Sequence, residues 1–137
     1  MPLLESDSRI RRRLSEARTI AVVGLSDDPT RDSNRIARFL LSRGYTVLPV
    51  NPLASTILGL PSFPDLDSVP GPVDIVDVFR RPEHVPAVAA AAVRSGARVF
   101  WMQPGTVHPE ASGIALTAGL EVAEGLCIMV EHRRLIR

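Results

Sequence analysis

The stretch Thr19–Ile20–Ala21–Val22–Val23–Gly24 constrains this chain most. Short apolar residues, several of them β-branched, run without interruption into a glycine. A buried parallel strand reads this way, because both of its faces are covered. The glycine allows a sharp turn and the close approach of another group. A helical pattern opens near Ser33 and would aim its first N–H groups above the strand end, a setting that suits a phosphate. The start of an α/β domain with a nucleotide or cofactor phosphate site is therefore expected.

The residues after the glycine narrow the cofactor. A dinucleotide fingerprint needs G-x-G-x-x-G and an acidic residue about 20 positions further on, to hold the ribose hydroxyl. Here the turn reads Gly24–Leu25–Ser26–Asp27–Asp28–Pro29, and the second strand ends in Val50–Asn51–Pro52. The later glycines and the acid are missing, as is the Gly-Lys-Ser/Thr ending of a P-loop.

Strand and helix patterns alternate along the rest of the chain. A helix is expected over Ser8–Arg18, a strand over Thr19–Gly24, a helix over Ser33–Arg43 and a strand over Tyr45–Val50. The proline-rich stretch Asn51–Pro72 predicts short irregular elements only. A strand over Val73–Phe79 precedes a helix that begins after Pro82 and runs to Ser95. The strand Arg98–Met102, the helix Pro109–Ala118, the short strand Leu120–Ala123 and a last helix from Ile128 complete the series. Such alternation predicts a doubly wound, Rossmann-like parallel sheet of about five strands in a single domain, with right-handed crossovers.

Composition fits that reading. At 137 residues, 45% hydrophobic and 23% charged, the chain suits one domain with its own core. A net charge of +1 gives no global reason to bind nucleic acid or membranes. No apolar run reaches the roughly 18 residues of a membrane span. The acidic, arginine-rich start does not read as a secretory signal, and a single cysteine suits a reducing compartment. A soluble cytoplasmic protein is expected.

Ligands of doubly wound sheets lie beyond the carboxyl ends of the strands. Four loops meet there: Gly24–Leu25–Ser26, Asn51–Pro52, Phe79–Arg80–Arg81 and Gln103–Pro104–Gly105. The first turn of the second helix adds Arg31, Ser33, Asn34 and Arg35. Arginine forks match phosphate oxygens, and an aromatic ring or guanidinium plane can lie against a purine. The set contains no acid/base pair and no activated nucleophile, so no catalytic or metal-ligating residue is assigned.

These residues bring a family into view. Gly24–Leu25–Ser26, Val50–Asn51–Pro52, Val73–Asp74–Ile75–Val76–Asp77–Val78–Phe79–Arg80–Arg81–Pro82 and Trp101–Met102–Gln103–Pro104–Gly105 resemble the small single-domain CoA-binding proteins. Those are similar to the CoA-binding domain at the start of the succinyl-CoA synthetase α subunit. The resemblance spans about Thr19–Cys127. It implies a Rossmann-like fold that holds CoA over the strand ends, with the pyrophosphate near the first helix after the glycine turn. Members often carry a basic residue soon after that turn, where this chain has Asp27 and Asp28; Arg31 and Arg35 are the expected compensators. Before Cys127 members often have Asp-Arg, and here the residues are Gly125–Leu126. The synthetase's second domain, with its phosphorylated histidine, is not matched, so ligase activity is not expected.

Other conspicuous residues have plainer readings. Asp74 and Asp77 are expected to brace loops or cap, since residues three apart on a strand point to opposite faces. His84, His108 and His132 are expected at helix starts or on the surface, Cys127 and Trp101 in the core, and Arg11–Arg12–Arg13 on a solvated helix face. The favoured function is non-catalytic binding of CoA or an acyl-CoA. The alternative is an enzyme, either a nucleotide-dependent oxidoreductase or an acyl-transfer component acting with a partner subunit. A protein partner stays open.

Overall fold

The computed structural model describes residues 3–136. In chain order they form α1 (Asp7–Glu16), β1 (Thr19–Val23), α2 (Asp32–Ser42), β2 (Thr46–Val50), β3 (Thr56–Ile57), β4 (Leu60–Pro61), β5 (Ile75–Val78), α3 (Val85–Arg94), β6 (Val99–Met102), α4 (Pro109–Thr117), β7 (Glu121–Glu124) and α5 (Ile128–Leu135). Five strands make one parallel sheet in the order β2-β1-β5-β6-β7, and β3 and β4 form a separate small hairpin. The doubly wound Rossmann-like sheet expected from the alternation is the fold observed.

Alternation along each strand sorts the core into two halves. Ile20, Val22, Ile75, Val99 and Trp101 face α1, α2 and α5, where Ile10, Leu14, Ile36, Leu40 and Ile128 meet them. Ala21, Val23, Val76, Val78, Phe100 and Met102 face α3 and α4, packing on Val85, Ala89, Ala92, Ala111 and Ala115. Small residues on α3 and α4 let these helices lie close together and close to the sheet. Both sheet edges are occupied. Phe63 pairs with β2, its N–H donating to Pro49 O and its carbonyl accepting from Asn51 N, while Leu3 and Leu4 run along β7. Covering the edges removes unpaired backbone groups that could template another chain.

Helix boundaries differ from the sequence expectation for local reasons. Ser6 accepts a hydrogen bond from Arg9 N, so α1 starts at Asp7 and ends at Glu16 before an extended Ala17. After β5 a turn of 3-10 helix, Pro82–His84, precedes α3. Pro86 has no N–H to donate to the carbonyl four residues back, so the chain tightens there and Val85 N bonds Pro82 O instead.

Two buried polar side chains were not foreseen. Asp74 braces the sheet as expected, its carboxylate accepting from Arg18 N at 2.7 Å and Thr19 N at 3.0 Å. Asp77 does not: it lies in the middle of β5, in register with Val22 and Trp101, fully buried, and neither carboxylate oxygen has a partner. Burial pushes its carboxyl well above the ordinary value. His132 is on the inner side of α5 rather than on the surface, edge-on to the Phe39 and Tyr45 rings, with Nδ1 unpartnered. Burial, helped by the Arg43 charge, holds this imidazole below its usual range.

Asp77 makes stability depend on pH in a stated direction. Above about pH 4 the unfolded chain releases this proton while the folded chain keeps it, so folding loses stability as pH rises toward the raised value. The slope is at most about 1.4 kcal/mol per pH unit. Asp77→Asn removes it. Denaturant titrations of both proteins between pH 4 and 8 should show the variant gaining steadily on the wild type. A constant difference across that range would mean Asp77 is ionised in the fold.

Candidate functional site

The strand order reverses between β1 and β5, and the chain leaves both strands at that point. Gly24, directly after β1, has φ +88°, and its N–H donates to Val50 O at 2.9 Å. A Cβ built on it would lie 2.3 Å from Phe79 O and 3.1 Å from Arg80 Cδ. Two strand exits are thus pressed together, closer than any side chain permits, and the Arg80 stem runs alongside the turn. Phe79 N, donating to Val23 O at 2.8 Å, holds the pair in place.

The turn after Gly24 is clamped from three directions. Ser33 Oγ accepts from Ser26 N at 2.9 Å, Asn34 Nδ2 donates to Ser26 O at 2.8 Å, and Asn51 Nδ2 donates to Leu25 O at 2.9 Å. Leu25 itself drops into the core. Asp28 is caught by Thr30, whose N–H and hydroxyl both donate to Oδ1 and hold the carboxyl below its ordinary value. Asp32 is paired with Arg35 at 2.7 Å. The N-cap of α2 is Arg31, which makes no side-chain capping bond.

Two cavities open on this frame. One, of about 470 Å³, is lined by Gly24, Ser26, Thr30, Arg31, Asp32, Ser33 and Phe79. The other, of about 400 Å³, is lined by Gly24, Asn51, Pro52, Leu53, Phe79, Arg80, Arg81 and His84. They share Gly24 and Phe79, so together they form one trough across the switch in strand order, where open α/β sheets take ligands. Among the described residues, Arg31, Arg80 and Arg81 have no carboxylate partner, whereas Arg9, Arg13, Arg94 and Arg134 are each paired with one.

Of the residues singled out from the sequence, Gly24, Ser26, Arg31, Ser33, Asn51, Pro52, Phe79, Arg80 and Arg81 come together on the trough. Leu25 and Asn34 support the turn from inside. Arg35 is committed to Asp32, which leaves Arg31 as the free cation beside Asp27 and Asp28. Gln103 does not line the trough. It is buried, its Oε1 accepts from Ile128 N at 3.1 Å, and it ties β6 to the start of α5. Gly105, at φ +85°, turns the loop beyond it. The sequence reading passed over Thr30, Asp32, Leu53 and His84. His84 was within reach of it, since this residue closes the same post-strand loop as the arginines.

A family model described as CoA binding domain matches residues 18–133. The Bacillus subtilis protein YneT is 41% identical over 127 residues, covering 93% of this chain and 94% of that protein. A hypothetical protein from Pyrococcus horikoshii superposes with a TM-score of 0.95 at 38% identity, over 97% of this chain and 94% of that one. An acetyl-coenzyme A synthetase from Candidatus Korarchaeum cryptofilum matches with a TM-score of 0.71 at 29% identity. That match covers 81% of this chain and 26% of the synthetase.

The close approach at Gly24 separates two costs of adding a methyl group. Gly44 has φ +91° with nothing within 4 Å of a built Cβ, so Gly44→Ala carries only the backbone penalty. Gly24→Ala adds a collision with the Phe79 carbonyl. It should cost about 1–3 kcal/mol more than Gly44→Ala in denaturant titrations. Equal losses would show that the two strand exits are not in contact.

Proposed function

The chain belongs to the family of CoA-binding domains, and we propose that it holds CoA or an acyl-CoA in the trough between β1 and β5 without transforming it. The observation that supports this most is the partition of charge. Arg31, Arg80 and Arg81 all line the trough and none of them is paired with a carboxylate, whereas Arg9, Arg12, Arg13, Arg35, Arg94 and Arg134 are each held in an ion pair. In this reading the pyrophosphate occupies the cavity of Ser26, Arg31 and Ser33, where the uncapped N-terminus of α2 adds its N–H groups.

Asn51 speaks for CoA over NAD. It stands where a dinucleotide-binding strand carries its ribose-binding acid, and both ends of its amide are used: Nδ2 donates to Leu25 O and Oδ1 accepts from Leu53 N at 2.8 Å. An amide already tied to the backbone in this way does not offer the two free carboxylate oxygens that grip the ribose hydroxyls of a dinucleotide. Asp32, the carboxylate in the trough's lining, is paired with Arg35, and the Ser26 and Ser33 hydroxyls accept from backbone N–H groups, an arrangement that suits binding more than proton transfer or attack.

Calorimetric titration with CoA, NAD and ATP should give the tightest binding with CoA. Arg31→Ala should weaken CoA by about tenfold, the size of one charge-assisted contact. Acetyl-CoA incubated with the protein should be recovered intact. Equal or tighter binding of NAD would contradict the ligand, and release of free CoA would contradict a non-catalytic role.

A further inference from the structure

We infer that His84 acts with Arg80 and Arg81 as a reader of a phosphomonoester on the ligand's ribose, so that this end of the trough selects 3′-phosphorylated nucleotides. The inference rests on CoA binding in the trough and assigns one residue that CoA binding alone does not need. Three observations carry it.

The first is the state of the three histidines. His108 Nδ1 accepts from Glu110 N and caps α4. His132 is packed between Phe39 and Tyr45 in the core. His84 occupies the N-cap position of α3, yet its ring makes no capping bond, and it lines the 400 Å³ cavity instead. A helix-start role therefore accounts for His108 but leaves the His84 ring without a task.

The second is the lining of that cavity. Its titratable side chains are Arg80, Arg81 and His84, with no carboxylate among them. The remaining polar side chain, Asn51, is engaged with backbone groups at both ends. Two guanidinium forks and an imidazole that can present an N–H thus dominate this wall, and such a set favours an acceptor-only group such as a phosphate. Pro52, Phe79 and the 92% exposed Leu53 supply the apolar part, which suits the nucleoside to which the phosphate is attached.

The third is how the donors are held. Arg80 is half-buried with its stem against Gly24, which fixes its position at the switch point. The 3-10 turn after the arginines, with His84 N donating to Arg81 O at 2.9 Å, carries His84 back to the cavity that Arg81 lines. The two prolines at this turn, Pro82 and Pro86, thereby set the relative placement of the Arg80, Arg81 and His84 side chains.

The test is the ratio of affinities for CoA and 3′-dephospho-CoA, measured by calorimetry on the wild type, His84→Ala and His84→Gln. The wild type should prefer CoA. His84→Ala should shrink that preference by about fivefold to tenfold while leaving dephospho-CoA affinity unchanged, and His84→Gln, which keeps an N–H donor, should restore part of it. Adenosine 3′,5′-bisphosphate should compete with CoA more strongly than ADP does. If His84→Ala lowers both affinities equally, or neither, CoA binding stands and the phosphate-reading role falls. If the wild type binds CoA and dephospho-CoA equally, no residue of this wall reads that phosphate. If it binds neither, the CoA reading fails and takes this inference with it.

Discussion

The packing of Gly24 under the Phe79 carbonyl is the contact on which the rest depends. It joins the exit of β1 to the exit of β5 at the one place where the strand order reverses. A side chain there would separate the two loops and pull apart the cavities that share Gly24 and Phe79. The fold is arranged to keep them together: β1 is bonded on both sides, and Ser33, Asn34 and Asn51 reach in from α2 and β2 to tie the turn's backbone. Polar side chains that a sequence reader assigns to a ligand are in part the scaffold of the site.

That division explains what was legible in the sequence. The strands were readable because parallel strands buried on both faces are continuous apolar runs, and the rule for doubly wound sheets then placed four loops on one edge. Residue type does not say which atom of a polar side chain is already spent. Asn34 and Gln103 have the same chemistry as a ligand-binding amide, and only their bonds to Ser26 O, Arg38 Nε and Ile128 N show them to be internal braces. Asp74 and Asp77 look alike in sequence as well. One ends up outside the strand, bonded to Arg18 N and Thr19 N, and the other between Val22 and Trp101, because register is a property of the whole sheet.

Electrostatics completes the division of labour. Away from the trough, arginines hold the tertiary structure: Arg9 and Arg13 converge on Glu121, and Arg134 links α5 to Asp7 on α1. At the trough Asp32 is paired with Arg35, and Asp28, held ionised by Thr30, lies within the field of Arg31, while Arg80 and Arg81 share their cavity with no carboxylate. A net charge of +1 hides this arrangement, since a site can be strongly cationic in a chain that is nearly neutral. The likeness to an acetyl-coenzyme A synthetase covers about a quarter of that longer chain, and this protein shares with it the fold of one unit.

The most direct measurement is a titration of nitrogen-15-labelled protein with CoA, followed amide by amide. Binding across the switch point predicts that the largest shifts fall on Gly24, Ser26, Ser33, Phe79 and Arg80, on both sides of the contact between the two strand exits. Shifts concentrated instead on the apolar groove between α3 and α4, around Ala90, Val93 and Ile114, would contradict it, as would a spectrum unchanged at saturating CoA.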